Sequence, residues 1–390
     1  MRTVLFLEWN SIGNIFMKEA FEKQGFRVKM FPFDRINEDT RRSEKLAGDI
    51  VNAILEEPVE FVFSFNFFPV AAIACKACRT KYVSWTYDSP FIQVYSQTVM
   101  LDTNLVFIFD KAVCEDLWAK GVSTVYYLPM AAAVPFYDTK QPTLEQKKKY
   151  DADVTMIGSM YSEKKHNLFR HLDDLDAYTR GYLEGVMQIQ KQIYGYNFME
   201  QALTPEVMEK VVKVCPIHAN GDGFETGEWV FSNYFLSRKV TAMERMDIMS
   251  LLQDEFRVQL FTHEETPQLP NVQNMGKADY YDLSPIIFKC GRIHLNITLR
   301  SILTGIPLRA FDIMGCGGFL LSNFQNDYLA HFNPDEDFVY YESYEDLQNK
   351  VRYYLAHDDA RERIARSGYE KVKAEHTYEN RIQTILNMIE

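Results

Sequence analysis

The sequence predicts an α/β protein made of two doubly wound domains. Over residues 1–135, short apolar runs rich in β-forming residues alternate with amphipathic helical runs, which is typical of parallel strands joined by right-handed helical crossovers. A polar, lysine-rich segment at 136–152 has the composition of an exposed linker, and the same alternation restarts after it at Asp153. A chain of 390 residues also has the length for two or three domains.

The first domain, 1–135, is predicted from apolar runs separated by turn residues. Gly25 closes the first helix, because glycine readily takes the left-handed conformation that ends many helices. The predicted helices are NIFMKEAFEKQG, VAAIACKACR and KAVCEDLWAKG. The predicted strands are TVLFLEW, FRVKMFPF, EFVFSFNFF, KYVSWTY, LVFIFD and TVYYLPM.

The second domain is predicted over 153–375. Its first strand, DVTMIGS, is separated from the next, RVQLFTHE, by about ninety residues that are largely helical in pattern. This stretch is too long for a simple crossover, so we expect a helical insertion at about 162–250. The strand RIHLNIT, the helix LRAFDIMGCG and the strand GFLLSN come later, and a last helix occupies 376–390.

The composition argues against two classes of partner. The formal net charge is −12 and the pI is about 5.3, so we expect neither nucleic acid nor an anionic membrane surface to be a general partner. No apolar run reaches the roughly 18–20 residues of a transmembrane helix, and Glu8 and Asn10 interrupt the N-terminal apolar run where a signal peptide would be continuous. We therefore expect a cytoplasmic protein without an integral membrane segment.

The six cysteines are scattered along the chain, which favours reduced thiols over a disulfide framework. Cys75 and Cys78 form a C-x-x-C pair, but the pair lies in an apolar, helix-like stretch and has no second pair to match it. Zinc or redox chemistry is the alternative there, and core packing is the favoured interpretation.

Two candidate site segments follow strands of the first domain, because open α/β sheets bind ligands beyond the carboxyl ends of their strands. Asn10, Ser11 and Gly13 in EWNSIGN join a strand to a helix, whose free N–H groups offer a site for a phosphate or an acceptor. The alternative is an ordinary turn that caps the helix. Asp88 in SWTYDSPF is a candidate base or hydroxyl acceptor, or a residue that only forms the turn.

Two further candidates lie in the second domain. Gly158 and Ser159 end its first strand, and Lys164 follows about one helical turn later, which suits a diphosphate; the alternative is an ordinary surface lysine. Arg309 and Asp312 lie three residues apart in an apolar, glycine-flanked helix, so they share one helical face. The alternative is an ion pair on a solvated face, but the apolar neighbours favour a mostly buried helix.

The stretch RIHLNITLRSILTGIPLRAFDIMGCGGFLLSN, with the segment after it to Arg381, resembles the C-terminal domain of the glycosyl transferases group 1 superfamily. The similarity is closer to the branch of CgeB-like spore maturation proteins, and IGSMYSEK and WTYDSP are similar to the family more loosely. The resemblance implies a GT-B fold, in which two Rossmann-like domains face each other across a cleft. It also implies that the helix at 376–390 packs back on the N-terminal domain.

The resemblance also implies roles for several residues. In the superfamily a Glu-x7-Glu element precedes an Ala-Met helix, and aligning Met314 with that methionine puts Asp312 at the second glutamate and Thr304 at the first. The carboxylate that binds the donor ribose is thus kept in Asp312, whereas the one near the sugar is lost at Thr304. Arg309 matches an arginine typical of the CgeB-like branch.

The donor site implied in this way also contains Gly158, Ser159, Asn296 and Gly305. Arg309 and Lys164 are the residues expected to neutralise the diphosphate. Arg309 and Asp88 are the expected catalytic residues, and no metal ligand set is evident, since the DLD in HLDDLDAY fits a solvated helix face.

The function implied is that of a metal-independent bacterial glycosyltransferase. It would move a sugar from a nucleotide-sugar donor such as a UDP-sugar to a protein or surface glycan, with retention at the anomeric carbon and without a cofactor. The alternatives are a catalytically degenerate GT-B binding or scaffold protein, which Thr304 motivates, a nucleotide-sugar epimerase and a phosphorylase.

Overall fold

The computed structural model describes residues 2–162 and 170–389. The chain divides into two compact units that do not follow a single cut in the sequence. Unit 1 comprises Met1–Met130, Ala219–Thr226 and Tyr378–Glu390, and unit 2 comprises Ala131–His218 and Gly227–Thr377. Each unit has its own parallel sheet of six strands with flanking helices, so the predicted pair of doubly wound α/β units is confirmed.

The sheet of unit 1 has the strand order β2-β1-β3-β4-β5-β6. All five residues of its strand FVFSF are buried, which matches the continuous apolar run that a parallel strand covered on both faces requires. Gly25 ends the first helix at φ +81°, as predicted. The elements are β1 (Thr3–Glu8), α1 (Asn14–Lys23), β2 (Arg27–Pro32), α2 (Glu44–Leu55), β3 (Phe61–Phe65), α3 (Pro69–Cys78), β4 (Lys81–Thr86), β5 (Asn104–Ile108), α4 (Lys111–Ala119) and β6 (Val125–Tyr127).

The sheet of unit 2 has the order β12-β11-β10-β7-β8-β9. Its strands and the helices that pack on them are β7 (Val154–Ile157), β8 (Val258–Phe261), β9 (Gln273–Asn274), α12 (Ser284–Phe288), β10 (Ile293–Asn296), α13 (Leu308–Gly315), β11 (Leu320–Asn323), α14 (Tyr328–His331), β12 (Val339–Tyr341), α15 (Tyr344–Ala356) and α16 (Asp358–Glu375). The helices before and within the insertion are α5 (Val134–Thr139), α6 (Leu144–Lys149), α7 (Ala177–Gln190), α8 (Met199–Ala202), α9 (Pro205–Val214), α10 (Gly227–Val230) and α11 (Ser237–Leu252). The final helix, α17 (Tyr378–Ile389), belongs to unit 1.

The segment expected to be an exposed linker, 136–152, contains α5 and α6 instead and belongs to unit 2. A capping box formed by Thr143 and Gln146 begins α6. Lys289 Nζ donates to the backbone oxygens of Tyr137 and Lys140 at 2.6 and 2.8 Å. The local polar composition suggested a linker, whereas these contacts with the rest of unit 2 are not visible in composition.

The helical insertion also differs from the expectation that all of 162–250 belongs with the second domain. Residues 219–226 lie in unit 1, where Gly223 forms an antiparallel bridge with Ser96. The buried Glu225 side chain pairs with Arg41 at 3.0 Å. A Cβ on Gly223 would lie 1.8 Å from Oε2 of Glu225, so a larger residue at this position would require the carboxylate of the ion pair to move.

The strand orders define one switch point in each sheet. In unit 1, β2 and β3 lie on opposite sides of β1. In unit 2, β8 and β10 lie on opposite sides of β7. Open α/β sheets bind ligands beyond the carboxyl ends of the strands at such points. We therefore expect the candidate residues to lie at these two edges.

None of the helices that the structure describes is both long and apolar enough to cross a membrane.

Candidate functional site

The loop after β1 in unit 1 carries Asn10, Ser11 and Gly13. Asn10 has φ +65°, a conformation that non-glycine residues seldom take. The hydroxyl groups of Ser11 and Tyr87 are 2.8 Å apart. A Cβ on Gly13 would lie 2.6 Å from Cζ of Phe65, so this glycine allows the close approach of a core aromatic ring.

Asp88 lies beyond the end of β4, in the same edge of unit 1. Its Oδ2 accepts from Arg35 Nη1 at 2.9 Å and from Asn66 Nδ2 at 2.8 Å. Asn66, at φ +61° directly after β3, also accepts from the backbone nitrogens of Tyr87 and Asp88. The Asp88 side chain is 33% exposed, so it is held in place and still reaches solvent.

Arg35 completes this cluster by stacking on an aromatic side chain. Its guanidinium carbon is 3.8 Å from the ring centroid of Trp9, which follows β1. The structure thus brings Asn10, Ser11 and Asp88 to one edge of the sheet, and it adds Trp9 and Arg35, which the sequence interpretation did not single out.

In unit 2, Gly158 and Ser159 follow β7 as predicted. Ser159 Oγ donates to Glu264 Oε1 at 2.5 Å, and the backbone nitrogen of Met160 donates to the other oxygen of the same carboxylate. Glu264 lies beyond the end of β8, so it fixes the loop after β7 from the neighbouring strand. Lys164, the predicted diphosphate ligand in this loop, lies outside the described residues.

Arg245 of α11 places a guanidinium at the switch point of unit 2. Its Nη1 donates to the backbone oxygen of Ser159, after β7, and its Nη2 donates to that of Ile297, after β10, at 2.5 Å. The residue is 9% exposed, and its Nε is buried without a hydrogen-bond partner. No carboxylate in the described parts of the chain lies within 4.0 Å of it. Its cationic group also lies 4.9 Å from the ring centroid of Tyr161.

A buried cation that faces carbonyl oxygens and an aromatic ring, but no carboxylate, is an unusual arrangement. Buried charges are normally paired, because the loss of hydration is otherwise uncompensated. At the carboxyl edge of adjacent parallel strands, the group that would supply the missing negative charge is an anionic ligand. Arg245 is therefore the strongest anion-binding candidate among the described residues.

Asn296 lies at the end of β10 and is largely buried. Its Nδ2 donates to Thr298 Oγ1 at 3.0 Å and to Ser322 Oγ at 2.9 Å. The network fixes the start of the loop that leads to α13. In this conformation the amide nitrogen of Asn296 donates to other side chains of the protein.

Thr304 and Gly305 lie further along that loop. Gln325 Nε2 donates to the Gly305 carbonyl at 3.1 Å, and the backbone nitrogen of Asp327 donates to that of Thr304 at 3.0 Å. The segment beyond β11 therefore holds this part of the predicted donor loop through its backbone.

Arg309 and Asp312 lie on one face of α13, as their spacing predicted, and they form the ion pair that was the alternative interpretation, with Nη1 and Oδ2 3.4 Å apart. The pair is not on a solvated face: the side chain of Asp312 is 4% exposed and that of Arg309 27%. Oδ1 of Asp312 accepts from the hydroxyls of Tyr137 and Tyr280 at 2.7 and 2.9 Å. Burial raises the pKa of the Asp312 carboxyl, and Arg309 and the two tyrosines oppose that shift.

This geometry leaves Arg309 as the member of the pair that a ligand reaches. The oxygens of Asp312 are occupied by side chains of unit 2, so its ribose contact stays a prediction that requires a tyrosine to move. Within residues 2–162 and 170–389, no group of three or more His, Cys, Asp or Glu side chains is arranged to hold a metal ion.

Two charged residues at this edge, Arg245 and Glu264, were not predicted from the sequence. A signal for Arg245 existed, since Thr241, Arg245 and Met249 recur every four residues on the buried face of α11. An arginine on such a face requires an explanation that a surface arginine does not. Glu264 follows a strand like many turn residues, and nothing local distinguishes it.

Comparisons with known proteins agree with the fold. Residues 246–387 match the sequence model of a family described as glycosyl transferase-like. HepE from Anabaena, solved in complex with UDP and glucose, superposes with a TM-score of 0.59 at 10% identity, covering 100% of this chain and 99% of that one. Sucrose-phosphate synthase from Thermosynechococcus elongatus gives 0.57 at 10% identity, covering 100% and 98%.

A glycosyltransferase from Rickettsia africae gives a TM-score of 0.56 at 12% identity, covering 100% of this chain and 97% of that one. No curated protein matches the sequence. The structural likeness shows that the chain has the GT-B fold, as predicted. The family match overlaps the region whose motifs carried the resemblance and supports the wider glycosyltransferase superfamily, while the CgeB-like branch stays a prediction.

Proposed function

We propose that the protein is a glycosyltransferase that binds a nucleoside-diphosphate sugar at the carboxyl edge of the unit 2 sheet. The observation that carries this proposal is Arg245, a buried guanidinium at the β7–β10 switch point without a carboxylate partner among the described residues. A diphosphate supplies the missing negative charge and offers the planar pairs of oxygens that a guanidinium binds best.

The chemistry of sugar transfer uses such a cation directly. The bond between the anomeric carbon and the β-phosphate oxygen breaks, and negative charge develops on the departing diphosphate. A fixed guanidinium stabilises that charge more in the transition state than in the bound donor. Arg309, 27% exposed beside the start of α13, is proposed as the second cation. With two arginines in this role, we propose that no metal ion and no cofactor are required.

The acceptor is proposed to be a hydroxyl group of a protein or of a surface glycan. Its oxygen forms the new bond to the anomeric carbon and its proton passes to a base, for which Asp88 is our candidate because it is held by Arg35 and Asn66 and still reaches solvent. Retention at the anomeric carbon is proposed from the motif resemblance alone, and it requires the acceptor oxygen to attack from the same face that the diphosphate leaves. Because Thr304 stands in place of a glutamate, the anomeric configuration of the product is the first property to determine.

UDP is the first nucleotide to test, because HepE, with the same fold, was solved with UDP and glucose. Thermal unfolding should be followed with UDP, GDP and ADP, and with UMP and uridine as truncated controls. A ligand at a hundred times its dissociation constant stabilises the folded state by about 2.7 kcal/mol. We expect one diphosphate to raise the melting temperature clearly, its monophosphate less, and the nucleoside not at all.

The same measurement separates the rival functions. A degenerate scaffold protein would not be stabilised by any diphosphate or nucleotide sugar, and that result would overturn the proposal. An epimerase would be stabilised but would convert the sugar of the bound donor without any acceptor. Mass spectrometry and NMR of the reaction products distinguish that conversion from transfer.

A further inference from the structure

Two arginines of unit 1 each pair with a carboxylate, at opposite edges of the same sheet. Arg2 and Glu60 directly precede β1 and β3, at the edge where these parallel strands begin. Arg35 and Asp88 follow β2 and β4, at the carboxyl edge. Both guanidinium groups also lie over an aromatic ring, with carbon-to-centroid distances of 4.5 and 3.8 Å. The side chains have similar exposure, 44% and 30% in the first pair and 33% each in the second, so their contacts can be compared directly.

The two pairs differ in how many of their polar atoms are used. Nε of Arg2 donates to both oxygens of Glu60, at 2.9 and 2.7 Å, and Nη2 donates to one of them as well. In the second pair, Arg35 Nη1 and Asn66 Nδ2 both donate to the same oxygen of Asp88, Oδ2. Within the described residues, Oδ1 of Asp88 and the Nε and Nη2 of Arg35 have no hydrogen-bond partner. The pair at the carboxyl edge therefore leaves one acceptor and two donor nitrogens for a ligand.

These atoms are held in place before any ligand binds. Asn66 is fully buried, and besides its bond to the Asp88 carboxylate it accepts from the Asp88 backbone nitrogen. The loop that carries Arg35 is joined to the loop that carries Asp88, because Gln93 Nε2 donates to Thr40 Oγ1 at 3.3 Å. The aromatic contact fixes the plane of the guanidinium. A site that is ordered in advance loses less conformational entropy on binding, so its affinity is higher.

A hydrogen-bond acceptor beside a hydrogen-bond donor matches two adjacent hydroxyl groups. A hydroxyl can both donate and accept, so one group donates to Oδ1 of Asp88 while its neighbour accepts from the guanidinium of Arg35. Both bonds involve a charged partner, which makes them stronger than bonds between neutral groups. The charges of the pair compensate each other, so a neutral ligand is favoured over an anion. Sugar rings carry adjacent hydroxyl groups, whereas a serine or threonine side chain has a single one.

We infer that the acceptor is a neutral sugar, and that the Arg35–Asp88 pair binds two adjacent hydroxyl groups of its ring. The hydroxyl on Asp88 forms the new bond to the anomeric carbon and passes its proton to the carboxylate. The neighbouring hydroxyl accepts from Arg35, which thereby selects the position that is glycosylated. The assignment of this sugar as the acceptor rests on the proposed function, whereas its binding to the pair does not.

Binding is tested without any donor. The probes are the methyl glycosides of glucose, galactose, mannose, xylose and rhamnose, titrated into the whole protein by saturation-transfer difference NMR, and at least one should bind. Removal of either of two adjacent hydroxyls, in monodeoxy derivatives of that glycoside, should weaken binding about tenfold, and removal of the others much less. The proposed site is wrong if no glycoside binds or if no adjacent pair of hydroxyls is required.

Arg35→Met removes the two donor nitrogens, while Asp88 keeps its bond from Asn66. The variant should bind the glycoside about tenfold more weakly, and it should no longer discriminate against the derivative that lacks the hydroxyl bound by Arg35. Arg2→Met is the matched control, because it removes a stacked and paired arginine from the other edge of the sheet, and it should bind like the wild type. Equal affinities of the two variants would show that Arg35 has no part in sugar binding.

The identity of the acceptor is tested by transfer. With the donor found by thermal shift, the glycoside that binds should be glycosylated, and N-acetylated serine and threonine peptides should not be. Transfer to the peptides and to none of the glycosides would overturn the sugar assignment.

Stabilisation by the diphosphate should be unchanged in Arg35→Met and Arg2→Met. If no diphosphate stabilises even the wild type, the proposed function fails, whereas the NMR titration still decides whether the Arg35–Asp88 pair binds a sugar.

Discussion

The switch points of the two sheets differ in how a single arginine is compensated. In unit 1, Arg35 pairs with Asp88 at 2.9 Å, and both side chains are 33% exposed. In unit 2, Arg245 is 9% exposed and contacts two carbonyl oxygens. The paired cation leaves little net charge for a ligand to neutralise, whereas the unpaired one leaves a full positive charge. We therefore expect this edge of the sheet to bind a neutral hydroxyl group in unit 1 and a diphosphate in unit 2.

Two buried arginines of unit 2, Arg245 and Arg300, differ in the same way. Arg300 is as buried as Arg245, but its guanidinium pairs with Glu244, which precedes Arg245 in α11, with Nε and Oε2 2.9 Å apart. One arginine thus has a structural counter-ion and the other has none. We therefore expect Arg300 to contribute to stability and Arg245 to contribute to ligand binding.

The largest effect is expected from Arg300→Met. The substitution leaves the carboxylate of Glu244 buried and unpaired, so the free energy of unfolding should fall by about 3–5 kcal/mol in urea denaturation. Arg245→Met leaves no carboxylate unpaired and should cost only about 1–2 kcal/mol, from two carbonyls that lose a donor. Equal losses of unfolding free energy in the two variants would show that Arg245 is structural, so the two arginines would not differ in role.

The second effect is on donor chemistry. Arg245→Met should lower the rate of sugar transfer by about 100- to 1,000-fold, the usual cost of removing one group that stabilises a developing anion. Binding of the diphosphate should weaken strongly and that of the nucleoside should not change. Arg257→Met is the control, since Arg257 is 54% exposed and directly precedes β8, at the opposite edge of the sheet. A loss of similar size in the control would contradict the assignment.

The third effect falls on unit 1. Asp88→Asn keeps the shape of the side chain but cannot accept the proton, so transfer to an acceptor should fall by about 100-fold. Stabilisation by the diphosphate should remain at the wild-type level, because the proposed donor site belongs to unit 2. If Asp88→Asn transferred sugar at the wild-type rate, Asp88 would be only a turn residue.

The smallest effect is a pH dependence that arises from one histidine of unit 2. All eight histidines fall within its range, and the fully buried His294 of β10 has its pKa lowered by desolvation to about 4. Below the ordinary pKa of about 6.5 the unfolded chain takes up a proton that the folded His294 does not, so this residue lowers stability progressively as the pH falls toward 4. Between pH 7 and pH 5 the loss should be about 2 kcal/mol.

His294→Asn tests this effect, since asparagine does not titrate. The difference in unfolding free energy between pH 7 and pH 5 should be smaller in the variant by that amount. Equal pH dependence in both proteins would show that His294 gains a proton without unfolding.

Much of the fold followed from local patterns. The run FVFSF became a wholly buried central strand, and Gly25 ended α1 in the left-handed conformation, because periodicity and backbone preference act within a few residues. The spacing of Arg309 and Asp312 likewise predicted that they share one helical face, where they form an ion pair. What spacing did not predict was which member of that pair would be buried, since Tyr137 and Tyr280 approach Asp312 from distant parts of the chain.

The sequence by itself determined that this is a two-domain α/β protein with candidate sites at the ends of its strands. The signals that determined this lie within short stretches of the chain: helical and strand periodicity, turn residues and the motif around α13. Only the tertiary structure decided the charge balance of those sites, because it depends on which side chains from remote segments reach them. Arg300 pairs with Glu244 and Arg35 pairs with Asp88, whereas Arg245 contacts two carbonyl oxygens and the ring of Tyr161.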